Sequence, residues 1–225
     1  MHENTTSALQ YVVVEGCIGV GKTTLTGLLA ARLGARTVVE VVEENPFLAE
    51  FYKDQVAHAF KTQMFFLLSR FKQQDGIGQA DLFQRAVVAD YMFAKDRIFA
   101  ELTLSGSELA LYDQVFHALS TRVKVPDLVV YLRAPMEVIL KRIQRRGRPF
   151  EQDIERAYLE NLVNAYNAFF AAYVECPVLT VDTEELNFPE NGAHVELLLK
   201  EAIALKESGG VRHVLTGETR QRELV

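Results

Sequence analysis

Gly16-Cys17-Ile18-Gly19-Val20-Gly21-Lys22-Thr23 fills every fixed position of a G-x-x-x-x-G-K-[ST] phosphate loop. An apolar, β-branched run from Tyr11 to Val14 leads into it, and a helix-forming stretch from Thr23 to Leu33 leads out. Strand, glycine turn and helix make backbone N–H groups and a helix N-terminus converge on a polyphosphate. Gly16, Gly19 and Gly21 allow close approaches that a Cβ would hinder. Lys22 can place a point charge on the β and γ phosphates, and the Thr23 hydroxyl can join a magnesium shell. Thr24 completes the expected phosphate-binding set. A glycine-rich turn without chemistry is the plain alternative, and the filled positions with the right flanks argue against it. The motif predicts a bound nucleoside triphosphate.

Working outward, strand-like runs recur at Tyr11–Val14, Thr37–Val42, Ala86–Ala89, Leu128–Leu132 and Val178–Val181. Helical patterns separate them: Pro46 to about Gln74, Ala94–Leu104, Ser107–Arg122, Met136–Arg146, Ile154–Val174 and Ala193–Lys206. Strands parted by helix-length segments require crossover connections. The expected fold is therefore α/β in three layers: a mostly parallel, five-stranded sheet flanked by helices, in one domain spanning 1–225. Residues 208–225 open on Gly209-Gly210, are polar, and read as a loosely held tail.

The 225 residues are 49% hydrophobic with a net charge of −6, and the mean hydropathy is +0.03. No apolar run approaches the roughly 20 residues that span a bilayer, and Met1 to Gln10 lacks the pattern of a secretory signal. Cys17 and Cys176 make no metal pattern, and a disulfide inside the phosphate loop would obstruct it. A cytoplasmic protein with reduced thiols is expected. The negative charge argues against a nucleic-acid partner. Lys141, Arg142, Arg145, Arg146 and Arg148 form a local basic cluster that suits a small polyanion.

Four further features narrow the chemistry. Glu43-Glu44-Asn45-Pro46-Phe47 follows the second strand, where open α/β sheets place ligands. A carboxylate there can take the proton of an attacking hydroxyl; Glu43 is preferred to Glu44, and helix capping by Glu44 or Asn45 is the alternative. Gln63 and Arg70 lie about 20° apart around a helix and roughly 10 Å apart along it. Tyr52 shares their azimuth, roughly 16 Å from Gln63 if the helix is unbroken. They are either a solvated helix side or polar anchors beside a slot for a stacked base. Gln84-Arg85 precedes the third strand and Asp90 closes it; Asp90 can pair with Arg70 at a base edge, or simply form a structural ion pair, and Arg85 can stabilise phosphate charge. Last, four arginines stand between 142 and 148, followed by Pro149-Phe150-Glu151. Arg142 and Arg146 share a helix face, and Gly147 and Pro149 end the helix. A mobile lid over residues about 142–152 fits, as does a helix C-terminus enriched in cations.

With these elements in this order, the chain from about Tyr11 to Val181 resembles the deoxynucleoside kinase family, the bacterial members above all. The resemblance implies a P-loop kinase fold with an arginine-rich lid, and ATP-dependent phosphorylation of a deoxyribonucleoside 5′-hydroxyl with magnesium as cofactor. Lys22 and Thr23 would hold donor phosphates and metal, with Gln84 as a weaker metal candidate where the family commonly has Glu. Glu43 (less so Glu44) would be the base, with Arg85 beside it. Tyr52 and Glu151 would hold the sugar 3′-hydroxyl, and Gln63, Arg70 and Asp90 would read the base. Arg142, Arg146 and Arg148 would be the lid arginines. The family's Asp-Arg after the third strand is read at Asp90-Tyr91, which removes a cation. A purine substrate (deoxyadenosine or deoxyguanosine) is favoured over deoxycytidine, and a homodimer is implied. A nucleoside monophosphate kinase of the thymidylate kinase kind and a catalytically silent nucleotide-binding subunit are the competing readings.

Overall fold

The structure is a computed structural model that describes residues 9–78, 86–152, 154–184, 186, 188–210 and 212–215, with the backbone alone at 75, 76, 78 and 212–215. Its strands are β1 (Tyr11–Gly16), β2 (Arg36–Val38), β3 (Val87–Ala89), β4 (Leu128–Arg133), β5 (Val178–Asp182) and β6 (Arg212–Leu215). Its helices are α1 (Lys22–Leu33), α2 (Leu48–Lys53), α3 (Gln55–Gly78), α4 (Asp96–Thr103), α5 (Gly106–Ser120), α6 (Met136–Arg146), α7 (Arg156–Ala172) and α8 (Gly192–Glu207). The strands form one parallel sheet in the order β2-β3-β1-β4-β5-β6.

β1 is buried along its whole length, because its alternate side chains serve two cores. Val12 and Val14 pack with Leu25 and Leu29 of α1 and Val195 and Leu198 of α8. Tyr11 and Val13 face the opposite layer, with Leu67 of α3, Tyr112 of α5 and Leu162 of α7. A strand covered on both faces has no polar side to show, hence the continuous apolar run. The strand order reverses between β3 and β1 on one side and β4 on the other, which places the phosphate loop at the switch point of the sheet.

Three expectations need correction. The expected strand Thr37–Val42 stops at Val38; the chain then leaves the sheet and forms a 3₁₀ turn at Val42–Glu44. The expected helix from Pro46 is two helices. Asp54 closes α2 through its amide to Glu50 O at 2.9 Å, and its Oδ1 accepts the Ala57 amide at 3.0 Å, capping α3. Tyr52 therefore does not continue the azimuth of Gln63. Residues 212–215, assigned to the loose tail, pair with β5 as a sixth strand added to the five expected.

Candidate active site

The phosphate loop is shaped by what stands behind it. Gly16 adopts φ 146°, and a Cβ there would lie 2.5 Å from the Leu132 carbonyl oxygen. At Gly19, φ is 80° and a Cβ would meet Ile143 Cγ1 at 2.7 Å. Both glycines are thus required by β4 and α6. Gly21 precedes α1, whose first-turn amides, at Lys22, Thr23 and Thr24, lack intrahelical acceptors by construction. Lys22 Nζ donates to the carbonyls of Gly16 (2.7 Å) and Cys17 (3.2 Å). Burial lowers its pKa, as does the nearby charge of Lys95, while Glu15 and Glu40 oppose the shift. Below the loop Glu15 is fully buried, accepting the amides of Met92 (2.8 Å) and Gly16 (3.0 Å). Burial raises its pKa against the pull of Lys95 and Lys22.

The Thr23 hydroxyl donates to Asp90 Oδ2 at 2.6 Å, and Asp90 Oδ1 accepts the Glu40 amide at 2.7 Å. Asp90 is not paired with Arg70. Asp96 takes that place: Arg70 forms ion pairs with Asp96 and with Glu40. Asp96 and Arg97 stand side by side at the start of α4, with Arg97 paired to Glu101 at 2.8 Å. Lys95, 2% exposed, reaches the second oxygen of Glu40 at 2.7 Å.

Glu40, which the sequence reading passed over, is a carboxylate near enough for its charge to act on Lys22 of the phosphate loop. Its side chain is 12% exposed, and Arg70 Nε donates to it at 2.8 Å. Burial pushes its pKa up, but Arg70 and Lys95 outweigh burial and hold the carboxyl well below the usual range. Glu43, the base expected from the sequence, has a carboxylate that is 55% exposed and pairs with Arg148 at 2.7 Å. Glu44 is exposed as well. The physical reason is the early end of β2, which brings Glu40 rather than Glu43 to the strand terminus. A lone carboxylate within Thr37-Val38-Val39-Glu40-Val41-Val42 was the available signal, since apolar runs do not carry a charge without use for it.

Gln63 and Arg70 share the buried side of α3. Gln63 Nε2 donates to Thr103 Oγ1 at 3.2 Å, and the Arg70 guanidinium lies 4.5 Å from the Phe66 ring centre. The ring of Tyr52 stacks on Phe150 at 6.4 Å, beside the buried Glu151. The turn at Pro149–Glu151 thus closes against α2, bringing Tyr52 and Glu151 into one neighbourhood. Arg146 Nε donates to Glu151 at 3.0 Å, and Arg148 stands 3.6 Å from the same carboxylate. Arg142 departs from the lid expectation. Its guanidinium donates to the Val20 carbonyl at 2.8 Å and to Thr183 Oγ1 at 2.8 Å, bracing the phosphate loop against the end of β5. Gln84 and Arg85 lie outside the described residues.

The assembled site holds a phosphate loop, hard oxygen donors at Thr23 and Asp90, a half-buried carboxylate between two cations, and a basic turn closing over an aromatic wall. The family model described as "Deoxynucleoside kinase" matches residues 12–204. The chain is 38% identical over 191 residues to a deoxyguanosine kinase of Bacillus subtilis, covering 83% of this chain and 92% of the relative. It is 35% identical over 193 residues to a deoxyadenosine/deoxycytidine kinase of the same organism, covering 82% and 88%. The solved structure of deoxyadenosine kinase from M. mycoides with bound dATP superposes with a TM-score of 0.75 at 27% identity, covering 85% of this chain and 98% of that one. Among the described residues no helix is long and apolar enough to cross a membrane. With the family model matched over most of its length and relatives at 35–38% identity, the chain belongs to the deoxynucleoside kinase family.

Proposed function

We propose that this deoxynucleoside kinase transfers the γ-phosphoryl group of ATP to the 5′-hydroxyl of a purine deoxyribonucleoside, with Glu40 as the group that receives the hydroxyl proton. The observation that carries this reading is the position of Glu40. It is tied through its own amide to Asp90, and through Asp90 to the phosphate-loop hydroxyl of Thr23. An acceptor alcohol hydrogen-bonded to Glu40 would stand beside the phosphate loop, and positioning is most of what phosphoryl transfer asks of a protein. The cations at Arg70 and Lys95 keep the carboxylate ionised and fixed in place, an acceptor for the hydrogen bond of the incoming alcohol.

Thr23 and Asp90 would supply the hard oxygen ligands magnesium prefers. When bound, the ion neutralises charge on the donor's phosphates. Lys22 binds the donor phosphates, and Lys95 supplies the second cation near the reacting centre, a role first read for Arg85. Tyr52 and Glu151 hold the 3′-hydroxyl, and Arg146 and Arg148 carry the basic turn. Gln63, Arg70 and Asp96 read the base, their donors and acceptors matching a purine edge. The names of the two Bacillus subtilis relatives cover both purine deoxynucleosides, the second adding deoxycytidine, and so favour purines with deoxycytidine behind them. A homodimer in the cytoplasm belongs to the same proposal, with sedimentation velocity as the test of its oligomeric part.

The four deoxynucleosides assayed with ATP and magnesium test the reading, comparing wild type, Glu40→Gln and Glu43→Gln. Glu40→Gln is expected to lower kcat about 10²-fold or more, while Glu43→Gln retains most of the turnover. The reverse pattern would return the base to Glu43.

A further inference from the structure

Thr103 is the last residue of α4, and its hydroxyl has two partners. It donates to the Phe99 carbonyl at 2.7 Å and lies 3.2 Å from Gln63 Nε2. A threonine hydroxyl carries a single proton. With that proton committed to Phe99, Thr103 can only accept from Gln63. The Gln63 amide must therefore turn its nitrogen to Thr103, and its Oε1 and second N–H are left in one fixed order. Bonding back to the carbonyl four residues earlier is common for threonine in helices; the consequence here comes from the buried glutamine that the same hydroxyl receives.

A carboxamide free to rotate by half a turn serves either of two edges. The 6-amino purine edge places an amino donor beside a ring-nitrogen acceptor. The 6-oxo edge places an oxygen acceptor beside an N–H donor, which is the opposite order. An amide locked in one orientation satisfies one edge and sets donor against donor on the other. We propose that Thr103 is a specificity-determining positioning residue: by fixing the Gln63 amide it makes the enzyme distinguish 6-amino from 6-oxo purine deoxynucleosides. The inference rests on Gln63 reading the base.

The test measures kcat/KM for deoxyadenosine and for deoxyguanosine with ATP and magnesium, in wild type, Thr103→Val, Thr103→Ser, Gln63→Ala and the Gln63→Ala/Thr103→Val double variant. Thr103→Val removes the acceptor at constant shape and frees the amide. The ratio of the two constants is expected to move toward unity by about five-fold, the worth of one neutral hydrogen bond, mainly through a lower KM for the disfavoured purine. Thr103→Ser keeps the wild-type ratio, and Thr103→Val adds nothing in the Gln63→Ala background. An equal loss for both purines in Thr103→Val, a serine variant that behaves like valine, or a wild type indifferent between the purines would each overturn the proposal. A ratio that shifts in Gln63→Ala but not in Thr103→Val overturns the role of Thr103 alone. A ratio unmoved by Gln63→Ala overturns base reading by Gln63 and this inference with it.

Discussion

Asp90 closes β3 with both oxygens committed, Oδ2 to the Thr23 hydroxyl and Oδ1 to the Glu40 amide. Asp90→Asn keeps the shape and one acceptor but removes the charge that would hold a divalent cation beside Thr23. The magnesium concentration for half-maximal turnover at saturating nucleotide is expected to rise about ten-fold, in the range seen when groups around a metal are altered. An unchanged magnesium requirement would remove Asp90 from the metal site. The phosphate loop was legible because its requirements are local: glycines, lysine and threonine follow one another in the chain. Asp90 was visible as a strand-terminal acid, yet its partner was not. Arg70 can reach either Asp90 or Asp96 as far as spacing goes, and only the packing of α3 against α4 selects Asp96. Glu40 was obscured for a related reason. The apolar run around it reads as continuing strand, and nothing local announces that pairing with β3 ends at Val38.

At the level of elements, the break between α2 and α3 decides where Tyr52 points. The pattern of Phe47, Phe51, Phe60, Met64 and Leu67 continues smoothly across Asp54, so periodicity alone describes one helix. The cap is what ends it, since Asp54 offers a side-chain oxygen to the amide of Ala57. Asp54→Ala is expected to cost about 1 kcal/mol, lowering Tm by about 2–4 °C for a chain of this size. Because α2 carries Tyr52 to Phe150 and the basic turn, KM for the deoxynucleoside should rise while KM for ATP stays near wild type. A lower Tm with both KM values unchanged would mean that the break is structural only. β6 escaped the sequence reading because a short strand after a Gly-Gly turn in a polar segment has too few residues to show alternation.

Across the molecule, two carboxylates withdrawn from water, Glu15 wholly and Glu40 in part, should bend stability with pH in opposite directions. Glu15 is raised above the ordinary glutamate value of 4.5 by burial. The folded state therefore takes up a proton before the unfolded chain does, and stability rises as pH falls through that raised value toward 4.5. Glu40 is also pushed up by burial, but Arg70 and Lys95 hold it below 4.5. Here the unfolded chain takes the proton first. The stability Glu40 contributes is complete above 4.5 and is lost as pH falls from there toward its folded value. Melting curves recorded from about pH 7 to about pH 3 should thus level or rise before they fall. Glu15→Gln should flatten the upper limb and leave the lower one. Glu40→Gln leaves Lys95 and part of Arg70 without a counter-charge, so it should lower stability at neutral pH by about 3 kcal/mol. The same variant should show a shallower decline below 4.5 than wild type. A Glu40→Gln curve running parallel to wild type in the acid limb would show that the pairing with Arg70 and Lys95 does not hold that carboxylate ionised.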